Sequence, residues 1–179
     1  MKSPFFDLAD KYNIKIQESR EIDSFFGLWK ETFKRAGKKP PLTLSYVSRI
    51  YDTLAPRNMA KIYYAARDDQ VLAGNLMLYW RDTAYFLFGG SISGEKYGAP
   101  HLLHWTLIQN AARDGYAYYH MGGSWKHYEN KNTAERIKGV DEFKRRFGIS
   151  PTTSCWGKKI LIQSRPGFLR KLYGGSIFV

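Results

Sequence analysis

Residues able to do chemistry are few in this sequence. His101 and His104 stand three apart, so a helix carrying them presents both on one face. A metal centre would need a third ligand in reach, and no His-Glu-x-x-His pattern is present, so no metal is expected. His120 and His127 flank Gly122-Gly123 and titrate near neutral pH, with a structural role expected for His120. Cys155 is the single cysteine and falls on an expected strand beside Trp156, which excludes an internal disulfide and a multi-cysteine cage. No Gly-x-Ser-x-Gly elbow appears, so nothing points to a serine or cysteine nucleophile. What remains is cationic: Lys96 in the loop Ser93–Ala99, and Lys144-Arg145-Arg146 beside Phe143. On spacing alone Phe143 is a core residue, sharing a helix face with Val140 and Phe147, and Lys144 is a solvated charge.

The elements that would hold these residues follow from periodicity. Ile22, Phe25, Phe26, Trp29, Phe33 and Ala36 fall at helical steps and Gly37 stops them. A second helix is expected from about Tyr46 to Leu54, with Ser45 as its N-cap and Val47, Ile50, Tyr51 and Leu54 facing inward. Lys61–Arg67 and Val71–Trp80 read as a hairpin turning at Asp68-Asp69-Gln70. Ala84–Phe88 reads as a third strand ended by Gly89-Gly90. Pro100 opens a helix that runs to about Arg113 and closes at Gly115. Tyr116–Met121 is a fourth strand, Val140–Phe147 a short helix stopped by Gly148, Thr152–Ile162 a last strand, and Arg165–Tyr173 a terminal basic helix.

The chain has 179 residues, one ordinary domain, and its 44% apolar content suffices to bury a core. Its net charge of +12 is uneven. Residues 136–179 hold ten Lys and Arg against Asp141 and Glu142, leaving +8 in the C-terminal quarter. Such a basic end suits a polyanion, whether RNA, a nucleotide diphosphate or an anionic surface. Met1–Tyr12 has Asp7 and Asp10 and no long apolar run, so neither a signal peptide nor a transmembrane segment is expected, and the default location is cytoplasmic.

A three-stranded meander followed by a β-α-β crossover, with two helices before it, gives an α/β (α+β) sandwich around a mixed sheet. That order is the one expected of the GNAT (Gcn5-related N-acyltransferase) fold. The expected layout is an N-terminal extension over 1–20, a GNAT-like acyltransferase domain over 21–163, and a basic tail or helix over 164–179.

Four segments resemble the FemAB/FemX family, aminoacyl-tRNA-dependent peptidyltransferases that build peptidoglycan cross-bridges of the cell wall. They are Glu31–Arg35, Ala84–Ser91, Pro100–Trp105 leading into Ala111–Gly115, and Gly139–Gly148. The last is the most specific, with its Gly-x-x-x-Phe-Lys-x-x-Phe-Gly pattern. Together they cover about residues 24–160, and the match is to the second of the two GNAT-type lobes usual in that family. The sequence departs from the family at His120, where an Asp usually follows the strand's Tyr, and it shows one lobe and no helical arm.

The resemblance implies transfer of an activated acyl group, aminoacyl-tRNA above all, to a primary amine such as that of a muramyl-peptide precursor. An ester donor is already activated, so positioning and charge stabilisation can supply most of the catalysis. The resemblance assigns charge stabilisation on the departing ribose oxygen to Lys144 and the shaping of the channel to Phe143. In a GNAT fold the helix opening near Pro100 faces the donor, which would place Lys96, Tyr97, Gly98 and His101 at its phosphate end, with Arg145 and Arg146 as further phosphate contacts. Ser93–Ala99 lacks the Gln/Arg-x-x-Gly-x-Gly/Ala signature of acetyl-CoA enzymes, keeping only Gly98-Ala99. No bound cofactor is expected, the donor being a co-substrate. Two other readings stay open: an acyl-CoA-dependent N-acyltransferase, and a non-catalytic lobe that pairs with a second GNAT chain or binds RNA.

Overall fold

Asp68 and Asp69 both take positive φ, 46° and 64°, and turn the chain tightly between β2 (Ala60–Arg67) and β3 (Gln70–Trp80). Two successive left-handed residues match the right-handed twist of the flanking strands, and aspartate tolerates that conformation better than most residues. The computed structural model describes residues 11–122 and 139–148. Around this hairpin it builds a five-stranded sheet in the order β1-β2-β3-β4-β5, with β1 (Lys15–Ser19), β4 (Thr83–Ser91) and β5 (Tyr118–His120). The first four strands are antiparallel. β5 joins parallel to β4 after the crossover helix α3 (Ala99–Arg113).

The sheet is covered on both faces. On one lie α1 (Ile22–Arg35) and α2 (Leu44–Leu54), whose Phe25, Leu28, Trp29, Val47 and Tyr51 pack against Ile62, Tyr64 and Leu76. On the other, Leu102, Leu103, Leu107 and Ala111 of α3 pack against Ala65, Ala73, Met77 and Ala84. Tyr64 and Ala65, like Leu76 and Met77, are chain neighbours that serve opposite cores, as the strand period requires. The expected α/β sandwich around a mixed sheet is the one observed.

Several local expectations shift. Residues 15–19, which the apolar pattern leaves unassigned, form β1 on the edge beside β2. The cap of α2 is Thr43, two residues before the expected Ser45, and its Oγ1 accepts from the Tyr46 N–H at 3.3 Å. β4 does not end at Gly89-Gly90 but runs through both to Ser91, still paired with Asn75, Gly74 and Ala73 of β3. Residues 139–145 are helical, yet Val140 is 49% exposed and Asp141, not Val140, is the buried residue at its start. The expected last strand and terminal helix, with His127, Cys155 and the tail, lie outside the described residues.

Candidate functional site

Two irregularities in the sheet make the cleft. β4 carries an extra residue, Leu87, where Leu76 pairs with Phe88 but Met77 pairs with Phe86. Such a bulge bends its strand. β5 pairs only with Thr83, Ala84 and Tyr85, so the second half of β4 runs on without it. The gap between them opens beside the start of α3 as a cleft of about 630 Å³. Several elements, and the loop after β4, supply its walls. β4 gives Phe86, Gly89, Gly90 and Ser91, and α3 gives Pro100, His101 and His104. The 139–145 helix gives Val140, Phe143 and Lys144, while Thr32 and Arg35 of α1 close the rim.

The rim is fixed by hydrogen bonds. Ser91 N–H donates to Thr32 Oγ1 at 3.0 Å. Arg35 Nη1 donates to the Ser91 carbonyl at 2.6 Å and its Nη2 to Ser91 Oγ at 3.0 Å. Ser93 N–H donates to Glu31 Oε1 at 2.8 Å, so α1 also holds the first residues of the loop that follows β4.

His104 is the most perturbed group in the cleft. It is 3% exposed, with Phe86 and Phe143 centroids at 4.6 and 5.4 Å. Burial, with smaller contributions from His101 and the Lys144 charge, pushes its pKa down to about 3. Its Nδ1 lies 3.2 Å from Tyr119 Oη, and the tyrosine hydroxyl donates to Met77 Sδ at 3.7 Å.

A neutral buried histidine has a stability consequence. Its folded pKa lies below the unfolded value near 6.5, so its stabilisation is complete above pH 6.5 and is lost as pH falls toward 3. Between pH 7 and pH 5 the loss is expected to be about 2 kcal/mol. Urea unfolding of wild type and His104→Leu at both values checks this. The wild type should lose more than the variant by that amount, and parallel losses would contradict it.

Lys144 reaches the mouth of this aromatic box. Its Nζ stands 3.7 Å from where a β-carbon on Gly122 would be, and Gly122, at φ 76°, carries none. Burial lowers the lysine pKa from its usual value, against an opposing pull from Asp141. His120, just outside, accepts the Gly122 N–H on Nδ1 at 3.1 Å, and burial and the Lys144 charge lower its pKa. That bond fixes the turn leaving β5, the structural part expected of it.

Of the residues singled out from the sequence, Phe143, Lys144, Lys96, Gly98 and His101 line the cleft. Phe143 lies 4.5 Å from the His101 ring. Burial, and next Arg146, lower the His101 pKa, with Glu95 opposing. Tyr97 does not line the cleft: its ring packs on Tyr12 at 5.1 Å and under the Arg67 guanidinium at 4.8 Å, in the α3-side core. Arg145 and Arg146 are exposed and do not line it either, although Arg146 Nη1 comes within 3.4 Å of His101 Nε2. Among the described residues no cluster of three potential metal ligands exists.

Sequence reasoning did not bring Asn75 forward. It is 4% exposed, lines the cleft, and its Nδ2 is buried with no hydrogen-bond partner among the described residues. A β-carbon on Gly89 would stand 2.6 Å from its Oδ1, so the glycine leaves room for that amide. A lone Asn in an apolar strand gives no signal of this; only the pairing of β3 with β4 does.

The cleft thus lies where the bulged β4 parts from the parallel β5, over the start of the crossover helix. The family model described as the acetyltransferase (GNAT) domain matches residues 8–145. The chain belongs to the GNAT family. Among solved structures it superposes on FemX with a TM-score of 0.68 at 18% identity, over 80% of this chain and 52% of that one. The chain therefore spans about half the length of FemX. It also superposes on aminoglycoside acetyltransferase meta-AAC0020 from an uncultured soil metagenomic sample, solved with sisomicin, at TM-score 0.55 and 12% identity over 86% and 99% of the two chains. Aminoglycoside N-acetyltransferase AAC(6')-Iy, solved with CoA, gives TM-score 0.60 at 9% identity over 82% and 94%. At these identities the likeness is one of fold. Among curated proteins none matches the sequence. No helix among the described residues is long and apolar enough to cross a membrane.

Proposed function

We propose that this GNAT chain is an aminoacyltransferase of the FemX type, with aminoacyl-tRNA as donor and a primary amine on a muramyl-peptide precursor as acceptor, acting in cell-wall bridge formation in the cytoplasm. The observation that carries the reading is the place of Lys144, a partly buried cation on the cleft wall beside Phe143 and the neutral His104. In the reaction the acceptor nitrogen attacks the ester carbonyl, a C–N bond forms, and the ester C–O bond to ribose breaks. The amine loses a proton and the ribose oxygen gains one. Negative charge grows on that oxygen as the bond breaks, and a cation in a water-poor wall stabilises it more than one in bulk solvent would. Lys144, its pKa lowered by burial, is also the group readiest to supply the oxygen's proton. Asn75 offers an amide donor on the same cleft.

The FemX superposition, which covers 52% of that chain, supports a lobe that works with a second GNAT-type lobe. Thermal stability with charged and uncharged tRNA tests the donor, since a ligand that binds only the native state raises its melting point. Charged tRNA is expected to stabilise more than uncharged tRNA, and the difference is expected to survive added salt. Equal shifts that vanish in salt would reduce the effect to a +12 protein binding RNA backbone and would defeat the reading.

A further inference from the structure

We infer that Glu95 occupies the anion seat at the start of α3 with its own carboxylate, and so closes the cleft to donors that would deliver a diphosphate there. The inference rests on the cleft being the donor site, but not on which donor is used.

A helix start attracts anions because its first N–H groups lack intrahelical partners and the dipole is positive there. At α3 the groups of Ala99, Pro100 and His101 are accounted for. The Ala99 N–H donates to Glu95 Oε1 at 3.2 Å, and the Tyr97 N–H just before the helix donates to the same oxygen at 2.7 Å. Pro100 has no N–H to give. The His101 and Leu102 N–H groups both donate to the Gly98 carbonyl at 3.0 Å. Gly98, at φ 74°, makes the turn that brings Glu95 back over the helix end.

The seat thus holds a carboxylate already, bonded as a phosphate oxygen would be. An arriving diphosphate would find the Tyr97 and Ala99 N–H groups taken and would face a negative charge, and displacing Glu95 would break two charge-assisted hydrogen bonds. The fold family implies an acyl-CoA donor at this place, and the residues present do not fit its diphosphate. Lys96 and His101 stay on the cleft wall beside Glu95 and can meet a single backbone phosphate without entering the seat.

The test is titration calorimetry with CoA and with pantetheine, which lacks the diphosphate, on wild type, Glu95→Gln and Glu95→Ala. The wild type is expected to bind CoA no more than about threefold tighter than pantetheine. Glu95→Ala, which frees both N–H groups, is expected to raise that preference at least tenfold or so. Glu95→Gln removes only the charge and should fall between; it reads the effect if the alanine variant fails to fold. A wild type that prefers CoA by tenfold, or variants that gain no CoA affinity, would overturn the inference. A chain that gains CoA on losing Glu95 yet ignores charged tRNA would refute the aminoacyl donor and leave this inference standing.

Discussion

Lys144→Met is expected to lower the rate of aminoacyl transfer about 10²–10³-fold, the range found when one preorganised charge-stabilising group is removed. The loss should fall on kcat rather than KM, because the negative charge it meets develops only as the ester C–O bond breaks. Stability should hardly change. Burial penalises the ammonium, as its lowered pKa shows, while the buried Asp141 favours it, so a methionine of similar length loses a cost and an attraction together and keeps the apolar stem against its neighbours. Lys144→Arg keeps the charge but spreads it over a planar fork that is a poor proton donor, so it should recover turnover only in part. The measurements are turnover with charged tRNA and a soluble amine acceptor, and urea unfolding of each variant. Full turnover by a folded Lys144→Met protein would remove the centre of the proposed chemistry.

What could be read from the sequence was whatever repeats at a fixed step. The apolar faces of α1 and α3 and the β2–β3 hairpin depend on neighbours three, four or two residues away, and they stand where the pattern puts them. Elements without such a face were harder to see. β1 is an edge strand with polar, mostly exposed residues at Lys15, Gln17 and Glu18, so no alternation marks it. The cleft was legible through Phe143 and Lys144, where a motif names positions outright, and through Lys96, Gly98 and His101 around the start of α3. Tyr97 looked equally suited to a donor, but the left-handed Gly98 turns the chain so that its ring joins the core beside Tyr12 and Arg67. Glu95 drew no notice, because a carboxylate in a Gly-containing loop shows its purpose only when the N–H groups it meets are known. His104 was visible as a helix-face histidine. Its neutrality is a property of Phe86 and Phe143, 18 and 39 positions away.

Gly90→Ala should be the most damaging single methyl in the described fold, destabilising by about 3 kcal/mol. Gly89 and Gly90 read locally as a strand's end, because glycine usually punctuates. Here Gly90 is still paired with Gly74, one residue before the strand ends, and a β-carbon on it would stand 2.5 Å from the Leu28 carbonyl carbon and 2.6 Å from both Leu28 O and Trp29 N. All three are backbone atoms of α1, so no rotamer change relieves the clash and the helix itself must move. It is not free to: Leu28 and Trp29 are buried in the core, and Thr32 and Arg35 are bonded to Ser91 one residue on. Moving α1 would also drag that rim off the cleft, so activity should fall with stability. Gly27→Ala is the control, in the same helix but exposed and with nothing within 4 Å of the new carbon. It should stabilise by about 0.5–1 kcal/mol, because alanine is the better helix former. Urea midpoints moving in opposite directions for the two variants are the expected result. A Gly90→Ala protein within about 1 kcal/mol of wild type would mean that α1 does not ride this close to β4.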